Sequence, residues 1–160
     1  MESLLPPPTE FGAPDQYGNW RQYQDNALLD IIGSDKRFIA LCLPCGLGKS
    51  LVGVLSANID QLRMVYLTSS KALQQQLLND FESIGLVSVQ GQSNYDCIDP
   101  DSINIPCTCQ DCPCHHGLAN LYPYHNCGYR KAIELAKNSR LVVTNYAFWI
   151  SQQKMSFIPS

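Results

Sequence analysis

The sequence predicts an α/β fold, in which a partial parallel sheet carries helices on both faces and holds a cysteine-rich metal-binding insertion. Short apolar runs with strand composition alternate with amphipathic helical runs, an order that is typical of parallel sheets. A glycine turn joins the first such strand to the helix that follows. Six of the 8 cysteines fall between Cys97 and Cys127, where little periodic apolar sequence is present.

Length and composition fit one globular domain. The chain has 160 residues, of which 45% are hydrophobic and 16% are charged. Its net charge of -3 gives no overall attraction to nucleic acid, so any such contact must be local. No run is long enough to span a membrane and no signal peptide is evident, so we expect a cytoplasmic or DNA-associated protein (nucleoid or nuclear) without a membrane partner. Reduced thiols in that compartment favour metal binding over disulfides.

The chain divides into four predicted segments. They are an extended arm over 1–18, an α/β segment over 19–90, the cysteine-rich insertion over 91–128, and a returning helix and strand over 129–160. The arm is rich in proline and glycine, and no chemistry is assigned to it.

The predicted elements follow in order along the chain. Helices are expected over Asn19–Ile32, Leu51–Asn58, Lys71–Phe81 and Tyr129–Asn138, and strands over Phe38–Leu43, Arg63–Leu67, Leu86–Val89 and Arg140–Thr144. Asn19 is the expected N-cap of the first helix, and an apolar stripe at helical spacing supports each of the longer helices. Thr68 or Ser69 is expected to cap the third helix. Pro44 ends the first strand, because proline cannot continue a central strand.

The turn after the first strand is typical of a phosphate-binding loop. Its residues are Pro44, Cys45, Gly46, Leu47, Gly48, Lys49 and Ser50. Glycines allow backbone N–H groups to surround a phosphate, and the helix N-terminus adds partial positive charge. Lys49 is expected to reach the β- and γ-phosphates and Ser50 to bind Mg²⁺, so these two are the catalytic candidates. Leu43 stands where the generic motif has its first glycine. The alternative is an ordinary glycine turn before a helix.

Two further groups of polar residues flank this loop. Arg21 and Gln24 lie three residues apart before it, and the Gln24 amide suits the N6/N7 edge of adenine. The alternative for this pair is a solvated first helical turn. Thr68, Ser69 and Lys71 stand at the start of the third helix, where they are candidates for holding a nucleic-acid phosphate. Simple helix capping is the alternative there.

The cysteine-rich insertion predicts a metal centre, because metal binding can stabilise a segment that lacks a core. Cys109 and Cys112 have standard ligand spacing, and Cys97 and Cys127 flank them. Four thiolates suffice for zinc or for an iron–sulfur cluster. Other ligands compete for the middle positions, and reduced surface cysteines are the alternative to a metal; the competitors are Cys107, Cys114, His115 and His116. Nearby aromatic residues would either stack on bases or pack around the metal: Tyr122, Tyr124 and Tyr129. Cys42 is expected to be a buried small hydrophobe and Cys45 to fill space in the loop.

Five segments in order resemble the N-terminal part of the first motor domain of the XPD/DinG-like superfamily 2 DNA helicases. They are Arg21–Gln24, Pro44–Ser50, Leu67–Gln76, Gly91–Cys97, and the stretch from Cys127 to Tyr146. The resemblance covers about residues 19–150. It implies a RecA-like P-loop fold, ATP and Mg²⁺ as ligands, and single-stranded or forked DNA as partner. It also implies a [4Fe–4S] cluster on Cys97, Cys109, Cys112 and Cys127.

The sequence also departs from this family. It has no match to motif II, the acidic box that helps to hold Mg²⁺ and to position the attacking water, and none to motifs III–VI or the second motor domain. We therefore expect a fragment that binds ATP and hydrolyses it very poorly, with the missing C-terminal half as a candidate partner chain. A missing strand would leave an open sheet edge. The alternative is a small zinc-stabilised nucleotide- or nucleic-acid-binding module without ATPase activity.

Overall fold

The computed structural model describes residues 3, 5–96, 108–110 and 127–152. These parts contain five helices, α1 to α5, at Gln24–Ile32, Lys49–Ile59, Lys71–Phe81, Gly128–Asn138 and Tyr146–Gln152. Three strands, β1 to β3, lie at Met64–Thr68, Leu86–Ser88 and Leu141–Asn145. Short 3₁₀ turns occupy Pro8–Phe11, Asp15–Tyr17, Glu82–Ile84 and Gln92–Asn94. No helix within the described ranges has the length and apolar character needed to cross a membrane.

The three strands form a parallel sheet with β3 in the centre and β1 and β2 on either side. Tyr66 of β1 lies opposite Val143, and Val87 of β2 lies opposite Val142. The parallel arrangement predicted from the alternation of strands and helices is therefore confirmed, with strand bounds that differ by one residue or so.

Helices cover both faces of this sheet. Leu141 and Val143 of β3 belong to a large core cluster with residues of α1, α2 and α3. Val142, which points the other way, belongs to a second cluster with Ala136 of α4 and Phe148 of α5. Alternate side chains of a strand point to opposite faces, so β3 is buried on both sides, as is usual in parallel sheets.

The predicted first strand, Phe38–Leu43, is wrong. This segment is irregular, with Phe38 84% exposed and Cys42 also exposed rather than buried. An extended segment gains stability only when a neighbouring strand takes up its backbone hydrogen bonds. In the described part of the chain, both edge strands pair with β3 and neither pairs with this segment.

The sequence predicts an extended N-terminal arm, and the structure differs from this prediction. The arm forms two 3₁₀ turns and packs on the helices of the large cluster. The Phe11 carbonyl accepts a hydrogen bond from Asn58 Nδ2 at 3.0 Å, and Tyr17 stacks on Phe81 with ring centroids 5.6 Å apart. Apolar side chains between the prolines explain this docking, because the arm can bury them against α2 and α3.

Helix α1 begins five residues later than predicted, at Gln24. Tyr23, not Asn19, is its N-cap, and Tyr23 adopts a left-handed backbone conformation with φ 70°. That conformation breaks the helical path, so Arg21 lies in the turn before the helix. Helix α3 is capped by Ser70, whose Oγ accepts from the Leu73 N–H at 3.2 Å, and not by Thr68 or Ser69.

Candidate nucleotide-phosphate site

The phosphate loop lies between the irregular segment and α2. Gly46 and Gly48 have positive φ angles of 83° and 69°, and Gly48 is the N-cap of α2. Only glycine enters this conformation without steric cost, so the two glycines allow the chain to reverse just before the helix. Lys49 and Ser50 are the first two helical residues. The turn-to-helix geometry predicted for this loop is therefore present.

Side chains from outside and inside the loop hold its carbonyl groups. Lys49 Nζ donates to the carbonyls of Leu43 at 2.9 Å and Pro44 at 3.1 Å. Arg21 Nη1 donates to the Gly46 carbonyl at 2.6 Å. Gln24 Nε2 donates to the Leu47 carbonyl at 2.7 Å and more weakly to the Gly48 carbonyl at 3.4 Å. Arg21 and Gln24 thus lie at the loop, where both side chains bond to its backbone.

Whereas the carbonyls of the loop accept hydrogen bonds from side chains, most of its backbone N–H groups are not hydrogen-bonded within the described residues. In the described part of the chain, five N–H groups of the loop have no hydrogen-bond acceptor: those of Cys45, Gly46, Gly48, Lys49 and Ser50. The Leu47 N–H donates to the Pro44 carbonyl at 3.4 Å. Every helix leaves its first N–H groups without intrahelical acceptors, and anion-binding loops use such groups to hold their ligands.

The charge at the loop is positive. Arg21 and Lys49 bring two cations to it, and their hydrogen bonds go to neutral carbonyls. Within the described ranges, the one ion pair is between Lys36 and Asp35, so no carboxylate neutralises the loop. The charge and the N–H groups together favour binding of a polyanion such as a triphosphate.

The Gln24 amide does not face a ligand. Its side chain is 2% exposed, and its Oε1 accepts from the Arg21 N–H at 2.7 Å while Nε2 donates to the loop. These partners fix the orientation of the amide, because carbonyls only accept and N–H groups only donate. The atoms expected to read adenine are therefore used within the protein.

Ser50 is linked to the sheet by a contact that sequence reasoning missed. Tyr66 of β1 donates its hydroxyl hydrogen bond to Ser50 Oγ at 3.3 Å. The oxygen of Ser50 keeps a lone pair for a cation, so its chemistry fits the predicted role in binding Mg²⁺. Tyr66 lies in an apolar strand, where no sequence pattern marked it as a neighbour of the loop.

The three residues proposed to contact nucleic acid lie in different environments. Thr68 is buried, and its hydroxyl donates to the Ser70 carbonyl at 3.1 Å, so its side chain supports the turn after β1. Ser69 and Lys71 are exposed at the start of α3. The structure therefore leaves Ser69 and Lys71 available to a phosphate and gives Thr68 a structural role.

A buried polar network, also missed by sequence reasoning, joins α3 to the carboxyl ends of β2 and β3. Gln74 is fully buried, and its Nε2 donates to Ser88 Oγ and the Val89 carbonyl, both at 2.8 Å. Asn145 Nδ2 donates to Gln74 Oε1 at 3.4 Å. The glutamine-rich run of α3 was the one signal available, but it did not distinguish the buried glutamine from the exposed ones.

Two of the four predicted metal ligands are described, and they lie together. Cys109 is buried, and Cys127 Sγ lies 3.8 Å from Cys109 Sγ. Cys97 and Cys112 lie outside the described residues, as do Cys107, Cys114, His115, His116, Tyr122 and Tyr124. Within the described ranges, no third metal-binding side chain joins the pair.

The sulfur–sulfur distance shows how the two thiols are related. A disulfide would need about 2.05 Å, so the two thiols are not bonded. One tetrahedral zinc ion with metal–sulfur bonds of about 2.3 Å places its sulfur ligands about 3.8 Å apart. Cysteines of a four-iron cluster bind different iron atoms and so lie farther apart. At 3.8 Å, the Cys127 thiol is in hydrogen-bonding contact with Cys109 Sγ, a separation that one tetrahedral ion would also accommodate.

Two tyrosines pack beside this cysteine pair. The rings of Tyr95 and Tyr129 meet edge to face with centroids 5.7 Å apart, and Tyr129 is buried in the second core cluster. Burial is the main cause that raises the pKa of each hydroxyl. Of the two roles considered for Tyr129, packing agrees with its position, because a buried ring is not available to stack on a base.

No protein-family model, curated protein or solved structure matches this chain.

Proposed function

We propose that this chain is the ATP-binding N-terminal portion of an ATP-dependent DNA helicase of the XPD/DinG type. The observation that carries the proposal is the phosphate loop, whose carbonyls are held by Arg21, Gln24 and Lys49, while five of its N–H groups have no acceptor among the described residues. The five segments that resemble the family support the helicase assignment. The loop provides sites for the phosphates, Lys49 for their charge and Ser50 for Mg²⁺.

Binding without efficient hydrolysis is the activity proposed for the chain alone. The residues that would complete hydrolysis, an acidic box and an arginine finger, have no match in the sequence. In the complete enzyme, ATP-driven closure of two motor domains would move single-stranded DNA.

Titration with a fluorescent ATP analogue in Mg²⁺ tests the nucleotide site. We expect saturable binding, and Lys49→Ala should weaken it by at least about tenfold, or about 1.4 kcal/mol. Lys36→Ala is the matched control, since the ammonium of Lys36 pairs with the Asp35 carboxylate and not with a loop carbonyl. Equal affinity in Lys49→Ala and Lys36→Ala, or a DNA-stimulated ATPase in the purified chain, would contradict the proposal.

Single-stranded or forked DNA is the proposed nucleic-acid partner, with Ser69 and Lys71 holding a phosphate at the start of α3. Binding measured by fluorescence anisotropy should weaken in Lys71→Ala, and the dependence of affinity on salt should become shallower by about one phosphate contact. Lys131→Ala, which changes an exposed lysine of α4, is the comparison. The same salt dependence in both variants would exclude Lys71 from the contact.

A zinc-stabilised nucleotide- or nucleic-acid-binding module is the second candidate function, because the Cys109–Cys127 distance of 3.8 Å fits one tetrahedral ion. Metal and sulfide analysis of protein purified without oxygen distinguishes the candidates. About four irons and four sulfides per chain would support the [4Fe–4S] helicase proposal. About one zinc without sulfide would support the module and leave the phosphate loop unaffected.

A further inference from the structure

We infer that the phosphate loop recognises the triphosphate of a nucleotide and does not select its base, because Gln24 acts as a positioning residue for the loop. This inference rests on the proposed nucleotide site and defines its substrate class. It replaces the expectation that Gln24 reads the adenine edge. Three observations on Gln24 and its neighbours support it.

The first observation is that both polar atoms of the Gln24 amide are already hydrogen-bonded within the protein. An amide that reads the N6/N7 edge of adenine must donate one hydrogen bond to the base and accept another. Nε2 of Gln24 donates to the Leu47 carbonyl at 2.7 Å and more weakly to the Gly48 carbonyl at 3.4 Å, and Oε1 already accepts from the Arg21 N–H at 2.7 Å. Reading a base would break these bonds in a side chain that is 2% exposed.

The second observation is the close approach of Gln24 to Gly48. A Cβ added to Gly48 would lie 2.5 Å from Gln24 Nε2. The amide therefore occupies the space that a side chain at position 48 would need. This contact connects α1 to the glycine that precedes α2, so Gln24 fixes the direction in which the loop N–H groups point.

The third observation concerns the other groups near this turn. Arg21 Nη1 donates to the Gly46 carbonyl, so this side chain, like Gln24, bonds to the backbone of the loop. Tyr23, which immediately precedes Gln24, has an exposed aromatic ring and a backbone in the left-handed region. Stacking of a base on an aromatic ring is tolerant of base identity, since every base has a π-face.

Affinities of the unmodified chain for ATP, GTP, CTP and inorganic tripolyphosphate, measured by calorimetry in Mg²⁺, test the inference directly. We expect ATP and GTP to bind within about threefold of each other, and tripolyphosphate to bind within about tenfold of ATP. A preference for ATP over GTP of more than about thirtyfold would overturn the inference and leave the proposed nucleotide site intact. Failure of all four probes to bind would overturn both.

The role of Gln24 is tested by variants. Gln24→Leu should weaken ATP and GTP to the same extent, whereas a residue that reads adenine would change their ratio. Gly48→Ala should weaken tripolyphosphate binding strongly in the natural background and less in Gln24→Ala, where the amide no longer occupies the space. Additive losses in this double-mutant cycle would contradict the proposed contact between the two residues.

Discussion

At the scale of single residues, Gly48 shows how one position serves both folding and the candidate site. It needs a left-handed backbone, with φ 69°, and it also needs the space that a Cβ would take from Gln24. The second requirement is absent at Gly85, which has φ 87° and no atom within 4 Å of an added Cβ. The two glycines therefore separate backbone strain from steric contact.

We predict that Gly48→Ala lowers the free energy of unfolding more than Gly85→Ala does. Each variant places alanine in the left-handed region, at a cost of roughly 1–2 kcal/mol. Gly48→Ala also displaces the buried Gln24 amide, which adds about 1 kcal/mol or more through lost hydrogen bonds. Urea denaturation of the two variants gives the comparison. Equal losses would show that Gln24 moves aside freely.

Tyr17 provides a residue with a measurable dependence on pH. Burial, then the hydrogen bond to Asp80 at 2.9 Å, then the negative charge of Asp80, raise the pKa of Tyr17 to about 12. A tyrosine whose pKa is higher in the folded than in the unfolded chain stabilises the fold below the unfolded value. That contribution is lost as the pH rises from about 10 to about 12.

We therefore predict that stability falls between pH 10 and 12 and that Tyr17→Phe makes this fall shallower. Asp80→Asn should give an intermediate slope, because it removes the charge but not the burial. Urea midpoints measured at intervals across this range provide the test. Parallel loss of stability in the natural chain and in Tyr17→Phe would argue against the Tyr17–Asp80 contact.

At the scale of secondary-structure elements, the contact between α3 and the sheet depends on one polar side chain. Gln74 is fully buried and bonds to residues of two strands, whereas Gln75, its neighbour on α3, is exposed and bonds to Asn79 at 2.9 Å. Buried polar groups that lose their partners cost stability, because no water replaces the missing bond. The two glutamines thus form a matched pair.

We predict that Gln74→Leu lowers the free energy of unfolding by about 2–3 kcal/mol, since it removes the hydrogen bonds that Gln74 makes to the Ser88 hydroxyl and to Asn145 Nδ2. Gln75→Leu should change it by less than about 0.5 kcal/mol. Chemical denaturation followed by circular dichroism measures both. A loss in Gln74→Leu no larger than that in Gln75→Leu would mean that the network adds little to the α3–sheet contact.

A comparison of the predicted and observed bounds shows which elements depend on tertiary contacts. The periodic helices α2, α3 and α4 begin and end close to the predicted positions, because their apolar stripes are local features of the sequence. Phe38–Leu43 has strand composition but does not form a strand. A strand depends on a neighbour that is distant in sequence, and composition does not reveal whether that neighbour is present.

At the scale of the whole molecule, two unprotected features lie on the surface. The segment Phe38–Leu43 exposes large apolar side chains, and β1 pairs on one side only within the described residues. β1 has the sequence Met-Val-Tyr-Leu-Thr, without the charge or proline that protects many edge strands. Such surfaces favour association with another chain.

We predict that the chain self-associates as its concentration rises, and that Phe38→Lys with Ile39→Lys reduces this association without altering stability by more than about 0.5 kcal/mol. Leu62→Lys, which changes an exposed leucine outside the segment, should reduce it less. Sedimentation velocity over a range of concentrations measures the effect. An unchanged distribution in the double variant would assign association to another surface.

The alternation of apolar runs and the glycine turn before α2 are local patterns, and local patterns were enough to predict a parallel α/β fold and the turn from which α2 begins. They were not enough to assign Gln24, because the partner of its amide lies 23 residues away at Leu47 and only the packing of α1 on α2 brings the two together. The same reason applies to the approach of Cys109 to Cys127, 18 residues apart. A side chain's chemistry is written in its residue type, whereas the atom that satisfies it depends on which distant segments the fold makes neighbours.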